Sequence, residues 1–357
     1  MKKLLSALLS LSLSAVLFGG CSSPSNSSSS ASTPETAVTT TATETVTTVA
    51  TEKAADPVDM NIMALKGPTA MGMVKFMNDT ETKEITDNQY NFTIAAAIDE
   101  ITPKLVQGET DIAAVPANLA SVLYNNTKGG VKVLAINTLG VLYIVENGDT
   151  VKSVEDLRGK TIYASGKGAT PEYALNYILS GNGIDPATDV TLEWKSEHTE
   201  CLAAVASTEN AIALLPQPFV TTAQTKNDKI KAVLDLTKEW DALQTSAESP
   251  SALITGVVVA RTEFIDQHPE AVAAFMKHYN TSVDFVNSNT SEAAALVGQY
   301  DIVPAAVAEK ALPACNITFI DGDAMKEKLS GYLSVLFEQN PKAVGGALPA
   351  DEFYYNN

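Results

Sequence analysis

The feature that most constrains the fold of this 357-residue chain is a segment that occurs twice, 100 residues apart. Residues 105–116 (LVQGETDIAAVP) and 205–216 (VASTENAIALLP) both fit the end of a helix, a turn, an apolar strand and a proline. Earlier in each copy, residues 61–65 (NIMAL) and 161–165 (TIYAS) fit strands that lead through glycine into a helix. Two pairs in one order favour a duplicated α/β lobe over chance similarity, and two copies are too few for a solenoid.

The segments between the copies predict where the chain passes from one lobe to the other. Residues 131–145 and 252–260 are apolar and strand-like, and they suit two crossovers. These boundaries place residues 57–139 and 254–357 in lobe 1 and residues 140–253 in lobe 2. Four segments with helical patterns follow residue 260, and we expect them to pack on lobe 1: 263–287, 291–300, 304–312 and 324–339.

The N-terminal 56 residues have the pattern of an export signal followed by a tether. Two lysines precede a 15-residue apolar and serine-rich run, which is too short for a membrane-spanning helix and predicts a secretory signal over residues 1–20. The residues LFGG before Cys21 resemble the lipobox of bacterial lipoproteins, in which the cysteine becomes the lipid-modified first residue. An unlipidated secreted protein is the alternative. Of residues 22–56, 18 are Ser or Thr, a composition that predicts a disordered tether.

Charge and motif content exclude several functional classes. The net charge of −18 argues against nucleic acid as a partner. Three cysteines, Cys21, Cys201 and Cys315, are too few for a disulfide framework or a cysteine-based zinc site, and the three histidines lack metal-binding spacing. No nucleophile elbow, zinc-protease motif or phosphate-binding loop is present. We therefore predict no cofactor, no metal and no catalytic residue, although spacing cannot reveal a triad that is assembled in space.

Four stretches carry a family resemblance that covers residues 61–355: ALKGPTAMGMVKFM from Ala64, SVEDLRGKTIYASGKGATPEYAL from Ser153, ENAIALLPQPFV from Glu209 and ITFIDGDAMKEKLSGYLSVLFEQNPKAVGG from Ile317. In these the chain resembles the type II periplasmic solute-binding proteins of ABC importers, in the group of nitrate, sulfonate, taurine and thiamine-precursor binding proteins. The resemblance implies an α/β fold of two lobes joined by two crossover strands. It also implies a small-molecule ligand in the cleft and delivery to permease subunits with an associated ATPase.

The loops at the repeated positions supply candidate ligand contacts. A glycine turn before a helix exposes unpaired N–H groups and the positive end of the helix dipole, and ligands also gather beyond the carboxyl ends of strands. The predicted ligand-binding residues are Lys66, Gly67, Pro68, Thr69, Asn118, Thr138, Lys167, Gly168, Ala169, Thr170 and Gln217. The threonines and Asn118 are also suitable as helix caps, Gln217 as a turn residue, and the lysines as solvent-exposed groups. Thr138 and Thr255 are weaker candidates for the hinge or the cleft floor.

These observations predict a monomeric lipoprotein that binds a small polar or anionic solute at the extracytoplasmic face of the bacterial cell membrane. Two alternatives remain open at this stage. One is an enzyme related to thiamine-pyrimidine synthases on the same fold, which the export signal disfavours. The other is a lipoprotein that signals rather than transports.

Overall fold

The computed structural model describes residues 56–244 and 251–356, which form two β-sheets flanked by helices. The predicted signal at residues 1–20, the lipid-attachment site Cys21 and nearly all of the tether at 21–56 lie outside the described residues. The strands are β1 (Asp59–Leu65), β2 (Gln89–Ala95), β3 (Ile112–Pro116), β4 (Val131–Leu139), β5 (Leu142–Asn147), β6 (Thr161–Ser165), β7 (Thr191–Lys195), β8 (Ile212–Pro216), β9 (Ile230–Asp235), β10 (Ile254–Arg261) and β11 (Ile317–Ile320).

Helices follow or connect most of these strands, as expected for an α/β arrangement. They are α1 (Pro68–Met71), α2 (Val74–Glu81), α3 (Ile98–Gln107), α4 (Ala117–Thr127), α5 (Thr170–Gly181), α6 (His198–Ser207), α7 (Phe219–Lys226), α8 (Leu236–Gln244), α9 (Thr262–Gln267), α10 (Pro269–Ser288), α11 (Thr290–Gln299), α12 (Ala305–Ala311) and α13 (Gly322–Gln339). The single helical segment predicted at 263–287 is two helices, because Pro269 lacks an amide hydrogen and occupies the first turn of α10.

The two sheets share one strand order, which accounts for the sequence repeat. The first sheet runs β2-β1-β3-β10-β4 with β11 at its edge, and the second runs β7-β6-β8-β5-β9. In each, two parallel pairings are followed by an antiparallel strand inserted from another part of the chain: β10 in the first sheet and β5 in the second. The predicted α/β fold with two sheets and two chain crossovers is confirmed.

Packing divides the apolar residues among three clusters, and one of them reaches both sheets. We call the first sheet with α1–α4 and α9–α12 lobe 1, and the second sheet with α5–α8 lobe 2. Helix α13 packs on β4 and α4 of lobe 1 and also on α5 of lobe 2. Its Tyr332 hydroxyl lies 3.0 Å from Thr170 Oγ1, and its ring centroid lies 5.8 Å from that of Trp240. Burial of apolar surface therefore joins the lobes on the side of α13.

Candidate functional site

A cavity of about 420 Å³ lies where the two lobes face each other. Lobe 1 contributes the starts of α1, α3 and α4, and lobe 2 contributes the starts of α5, α6 and α7. The lining residues are Leu65, Lys66, Gly67, Pro68, Thr69, Ile98, Pro116, Asn118, Leu119, Val141, Ala169, Thr170, Pro171, His198, Pro216, Gln217, Pro218, Phe219 and Thr255. Because strands end and helices begin here in both lobes, backbone N–H groups and polar side chains converge on one space.

The first glycine turn is built by backbone geometry that only glycine adopts readily. Gly67 has φ +127° and precedes Pro68, the first residue of α1. The following residue, Thr69, donates its hydroxyl to the Leu65 carbonyl over 2.7 Å, and its own carbonyl accepts from Asn137 Nδ2 over 3.1 Å. Thr69 is therefore held at the cavity wall by its neighbours and does not cap α1.

Close approach of this turn to the sheet depends on a second glycine, in β10. A Cβ added at Gly256 would lie 2.4 Å from Thr69 Cγ2 and 2.6 Å from Asn137 Oδ1. Thr138 donates to Asn137 Oδ1 over 3.1 Å, is fully buried and does not line the cavity. The structure thus places Thr138 behind the wall, where it positions Asn137, whereas Thr255 reaches the cavity itself.

The second glycine turn is not equivalent to the first. Strands β1 and β6 end 100 residues apart, but the two Lys-Gly pairs are 101 residues apart, so the second turn has an additional residue before the lysine. Ala169 and Thr170 line the cavity, whereas Lys167 and Gly168 are exposed and line a separate depression beside Asn340. Thr170 begins α5 after the N-cap residue Ala169 and hydrogen-bonds to Tyr332, so it does not cap the helix either.

The amide side chains of Asn118 and Gln217, which follow the ends of two strands, make different hydrogen bonds. Asn118, in the first turn of α4, donates Nδ2 to the Ala343 carbonyl over 3.3 Å. Gln217 is buried, and its Oε1 accepts from the hydroxyl of Thr221 over 2.9 Å. Both residues line the cavity, and the side-chain nitrogen Nε2 of Gln217 has no hydrogen-bond partner among the described residues. Gln217 therefore presents a donor to the cavity.

Electrostatically, the cavity favours electron-rich groups. Among the described residues that line the cavity, Lys66 alone has a permanently charged side chain; it is 40% exposed, and its Nζ lies 3.4 Å from Asp301 Oδ2. An exposed ion pair of this kind contributes little to stability, so the Lys66 ammonium can exchange Asp301 for another anion. Within residues 56–244 and 251–356, no carboxylate lines the cavity. Five helices of eight or more residues begin there, and each adds partial positive charge.

His198 is a polar lining residue that the sequence analysis did not select. Its Nδ1 lies 2.5 Å from Ser165 Oγ, and its ring packs against Phe219 with centroids 5.1 Å apart. Desolvation lowers the pKa of His198, so the imidazole is neutral at neutral pH. The repeat offered a signal, because His198 stands 100 residues after Ile98, and both residues begin helices and line the cavity.

We expect the burial of His198 to make the protein less stable in mild acid. The unfolded chain binds a proton at the ordinary histidine pKa of about 6.5, whereas the folded state resists protonation, so this contribution to stability is lost as pH falls through that value. Denaturant unfolding of the wild type and of His198→Gln between about pH 7.5 and 5 measures the effect. The variant should lose less stability over this interval, and identical pH dependence would contradict the prediction.

Comparison with known proteins identifies the family. The family model for the periplasmic substrate-binding protein of phosphonate ABC transporters matches residues 80–310, well over half of the chain. The chain belongs to this family. Its role is therefore that of the substrate-binding component of an ABC transport system, which binds a small-molecule ligand for delivery to a permease, and the assignment from the four sequence stretches is confirmed. Proteins of this family act outside the cytoplasm.

Solved structures share the fold of these substrate-binding proteins at low sequence identity. An ABC transporter structure from Parabacteroides distasonis has a TM-score of 0.70 and 21% identity, covering 84% of this chain and 99% of that chain. The periplasmic aliphatic sulphonate binding protein SsuA from Escherichia coli has a TM-score of 0.64 and 16% identity, covering 82% and 96%. The periplasmic nitrate-binding protein NrtA from Synechocystis PCC 6803 has a TM-score of 0.51 and 14% identity, covering 71% and 70%.

Sequence similarity does not extend to proteins with curated descriptions, none of which matches this chain. Within residues 56–244 and 251–356, no helix combines the length and apolar character needed to cross a bilayer. The same residues contain no group of three or more His, Cys, Asp or Glu side chains placed to hold a metal ion.

Proposed function

We propose that this substrate-binding protein captures a small organic solute with an anionic or strongly polar head between its two lobes and delivers it unchanged to the permease. The observation that carries the proposal is the cavity itself, where helix starts from both lobes face one space. Differential contact with the closed arrangement is what allows a ligand to drive closure. We propose ligand contacts for Lys66, Gly67, Pro68, Thr69, Asn118, Ala169, Thr170 and Gln217.

The size and walls of the cavity favour an organic molecule over a simple inorganic ion. About 420 Å³ is far more space than a nitrate ion fills, and side chains such as Leu65, Ile98, Leu119, Val141 and Phe219 form apolar wall. The helix starts and Lys66 suit a negatively charged head. Long-range repulsion by the acidic protein is screened beyond about 8 Å at physiological salt, so these local groups govern affinity.

Calorimetric titration with sulfonates, phosphonates and carboxylates that carry alkyl or phenyl groups tests the proposal. A binding ligand should also reduce the radius of gyration in small-angle X-ray scattering, because closure brings the lobes together. Recovery of the ligand unchanged after prolonged incubation supports delivery without chemistry. Chemical turnover, or binding without compaction, would contradict it.

Thr255 gives a more specific prediction about this cavity. Its Oγ1 is buried without a hydrogen-bond partner, and the residue lines the cavity. A hydroxyl left unpaired in the free protein is costly and is satisfied when a ligand pairs with it. We expect Thr255→Val to weaken ligand binding about tenfold while it raises the unfolding free energy of the ligand-free protein by about 1 kcal/mol.

The matched control is Thr237→Val. Thr237 Oγ1 is also buried and unpaired, but Thr237 does not line the cavity. This variant should raise stability similarly and leave affinity unchanged. Equal affinities of the wild type and Thr255→Val would remove Thr255 from the site.

We further propose that lipid on Cys21 anchors a monomeric protein to the membrane through the Ser/Thr-rich tether. The support is the signal-like start and the lipobox resemblance. Cys21→Ser should abolish incorporation of labelled palmitate and shift the protein from the membrane fraction to the soluble fraction. Retention in the membrane fraction would overturn the anchor, and a dimer mass in light scattering of the released protein would overturn the monomer.

A further inference from the structure

Two depressions adjoin each other on lobe 2 and share no lining residue with the ligand cavity. One encloses about 440 Å³ and extends from α5 to the end of α13, and the other encloses about 470 Å³ and extends from α5 to β7. Three residues belong to both: Lys167 in the turn before α5, and Glu172 and Asn176 in α5. We call the two depressions together the α5 groove. Its two-part shape suits an elongated ligand rather than a compact ion.

The three shared side chains have unused hydrogen-bonding capacity. Within the described residues, no hydrogen bond engages the side-chain amide of Asn176, and its Oδ1 is buried. An unpaired buried acceptor is costly, and rotation about the last torsion of asparagine can turn either end of the amide towards a ligand. Lys167 is exposed and forms no ion pair with any residue that the structure describes. Glu172 accepts from the backbone N–H of Gly168 with Oε2 over 2.6 Å, which leaves Oε1 to a ligand.

The end of α13 adds further polar groups to the α5 groove. Gln339 donates Nε2 to the backbone carbonyl of Tyr173 over 3.1 Å, and its Oε1 has no partner in the described part of the chain. Asn340 donates Nδ2 to the Tyr173 hydroxyl over 3.1 Å, so the hydrogen of that hydroxyl remains to be donated. This end therefore offers both an acceptor and a donor.

The other end of the α5 groove has an apolar wall with an aromatic ring. Leu192 and Trp194 alternate with Glu193 along β7, so they lie on one face of the strand, and both line the groove. Trp194 is only partly buried, and its indole N–H has no hydrogen-bond partner among residues 56–244 and 251–356. An indole of this kind combines an apolar face with a polar donor at its edge.

We infer that the α5 groove is a second binding site, which takes a short uncharged saccharide. A sugar hydroxyl both donates and accepts, so it can pair with the Asn176 amide, the Lys167 ammonium and the Glu172 carboxylate alike. The opposite charges of Lys167 and Glu172 favour a ligand without net charge. The C–H face of a sugar ring can lie against Trp194, and a second ring can reach the polar end at α13. The inference does not depend on the proposed function, because the two sites share no residue.

An extended peptide is a poorer match to the α5 groove. Peptides that bind in extended form take their main-chain hydrogen bonds from a free strand edge. Helix α5 packs on β6, so the groove lies over the face of the second sheet and is lined by side chains rather than by the free edge of β7. The observations therefore favour a saccharide.

NMR of the two tryptophan indole N–H groups tests this site directly. The chain has two tryptophans, so the spectrum contains two signals, and Trp194→Phe assigns them. We expect cellobiose and N,N′-diacetylchitobiose at about 10 mM to shift the Trp194 signal. The Trp240 signal should stay in place, because that indole is buried and donates to Ser251 outside the groove. Alanylalanine at the same concentration should shift neither signal.

Substitutions in the α5 groove separate binding from folding. Asn176→Leu should weaken binding of both disaccharides at least tenfold and raise the melting temperature by about 2–4 °C, because it removes an unpaired buried acceptor. Lys167→Ala, at an exposed position, should weaken binding severalfold without any change in stability. The control Asn91→Leu makes the same change as Asn176→Leu on β2, outside the groove, and should leave disaccharide affinity unchanged.

Three results would overturn the second site. The first is an unchanged Trp194 signal with both disaccharides, and the second is a larger shift with alanylalanine than with either of them, which would make the groove a peptide site. The third is disaccharide binding that Thr255→Val weakens and Asn176→Leu does not, which would place the sugar in the cavity between the lobes. Each result leaves the test of the proposed function with sulfonates, phosphonates and carboxylates untouched.

Discussion

Trp240→Ala is expected to lower the free energy of unfolding by about 3–5 kcal/mol, which is typical when a large aromatic side chain is removed from a core. Trp240 is 1% exposed, and its ring lies against Tyr177 of lobe 2, with centroids 4.3 Å apart, and against Tyr332 of α13. Its Nε1 donates to Ser251 Oγ over 3.0 Å. Alanine would leave a cavity between lobe 2 and α13 and would remove the indole donor from Ser251 Oγ, which keeps only its own bond to Gln244 Oε1.

Trp194→Ala is the matched control for this prediction. Trp194 lies on β7, the edge strand of the second sheet, and is only partly buried, so we expect a loss below about 1.5 kcal/mol. Denaturant unfolding followed by tyrosine fluorescence or circular dichroism measures both variants. Trp240 does not line the cavity, so the folded fraction of Trp240→Ala should keep the affinity of the wild type. Similar decreases in the free energy of unfolding of the two variants would show that packing of Trp240 does not join the lobes.

Asp111→Ala is expected to lower the free energy of unfolding by about 2–4 kcal/mol, because it leaves a mostly buried guanidinium without its partner. Asp111 Oδ1 lies 2.9 Å from Arg261 Nη2, and Asp111 Oδ2 accepts from the backbone N–H of Asn61 over 2.9 Å. These contacts join β1, β3 and β10 where the chain has returned from lobe 2. Arg261 Nε is buried and already unpaired, so the remaining pair with exposed Glu263 compensates poorly.

Two further variants separate the buried pair from a general effect of charge removal. Asp351 pairs with Lys326 over 3.0 Å at the surface, and Asp351→Ala should cost only about 0–1 kcal/mol. The double variant Asp111→Ala/Arg261→Met removes both charges and should recover much of the loss. Calorimetric unfolding at one pH measures all three. A double variant no more stable than Asp111→Ala would contradict the explanation by an unpaired charge.

Much of the architecture was predictable because it depends on local patterns. Apolar runs that end in proline or glycine, followed by helical spacing, produced β3 and β8 at their repeated positions. The equal offset then predicted two similar lobes without any knowledge of contacts. The antiparallel strand β10 lies between β3 and β4 in the first sheet, and β5 lies between β8 and β9 in the second. Local patterns could not predict these positions, since strand pairing is a contact between distant segments.

The candidate site was predictable only in part. Thr69, Asn118, Thr170 and Gln217 line the cavity because each stands at a strand end or a helix start, a location that sequence pattern reveals. Their capacity for hydrogen bonds was not predictable. Thr69 and Thr170 already have protein partners, Leu65 and Tyr332, whereas Thr255, a weak candidate in the sequence, has a buried hydroxyl with no partner.

The amino-acid sequence by itself determined the order of elements, the duplication and the family, because periodicity, turn residues and spacing are properties of neighbouring residues. Only the tertiary structure decided that Lys66 reaches the cavity while Lys167 does not, and that His198 lies at its wall with Ser165 behind it. One additional residue in a turn redirects a side chain, and a hydrogen bond between a strand end and a helix start fixes a ring. Both effects depend on how separate segments pack, which no local pattern encodes.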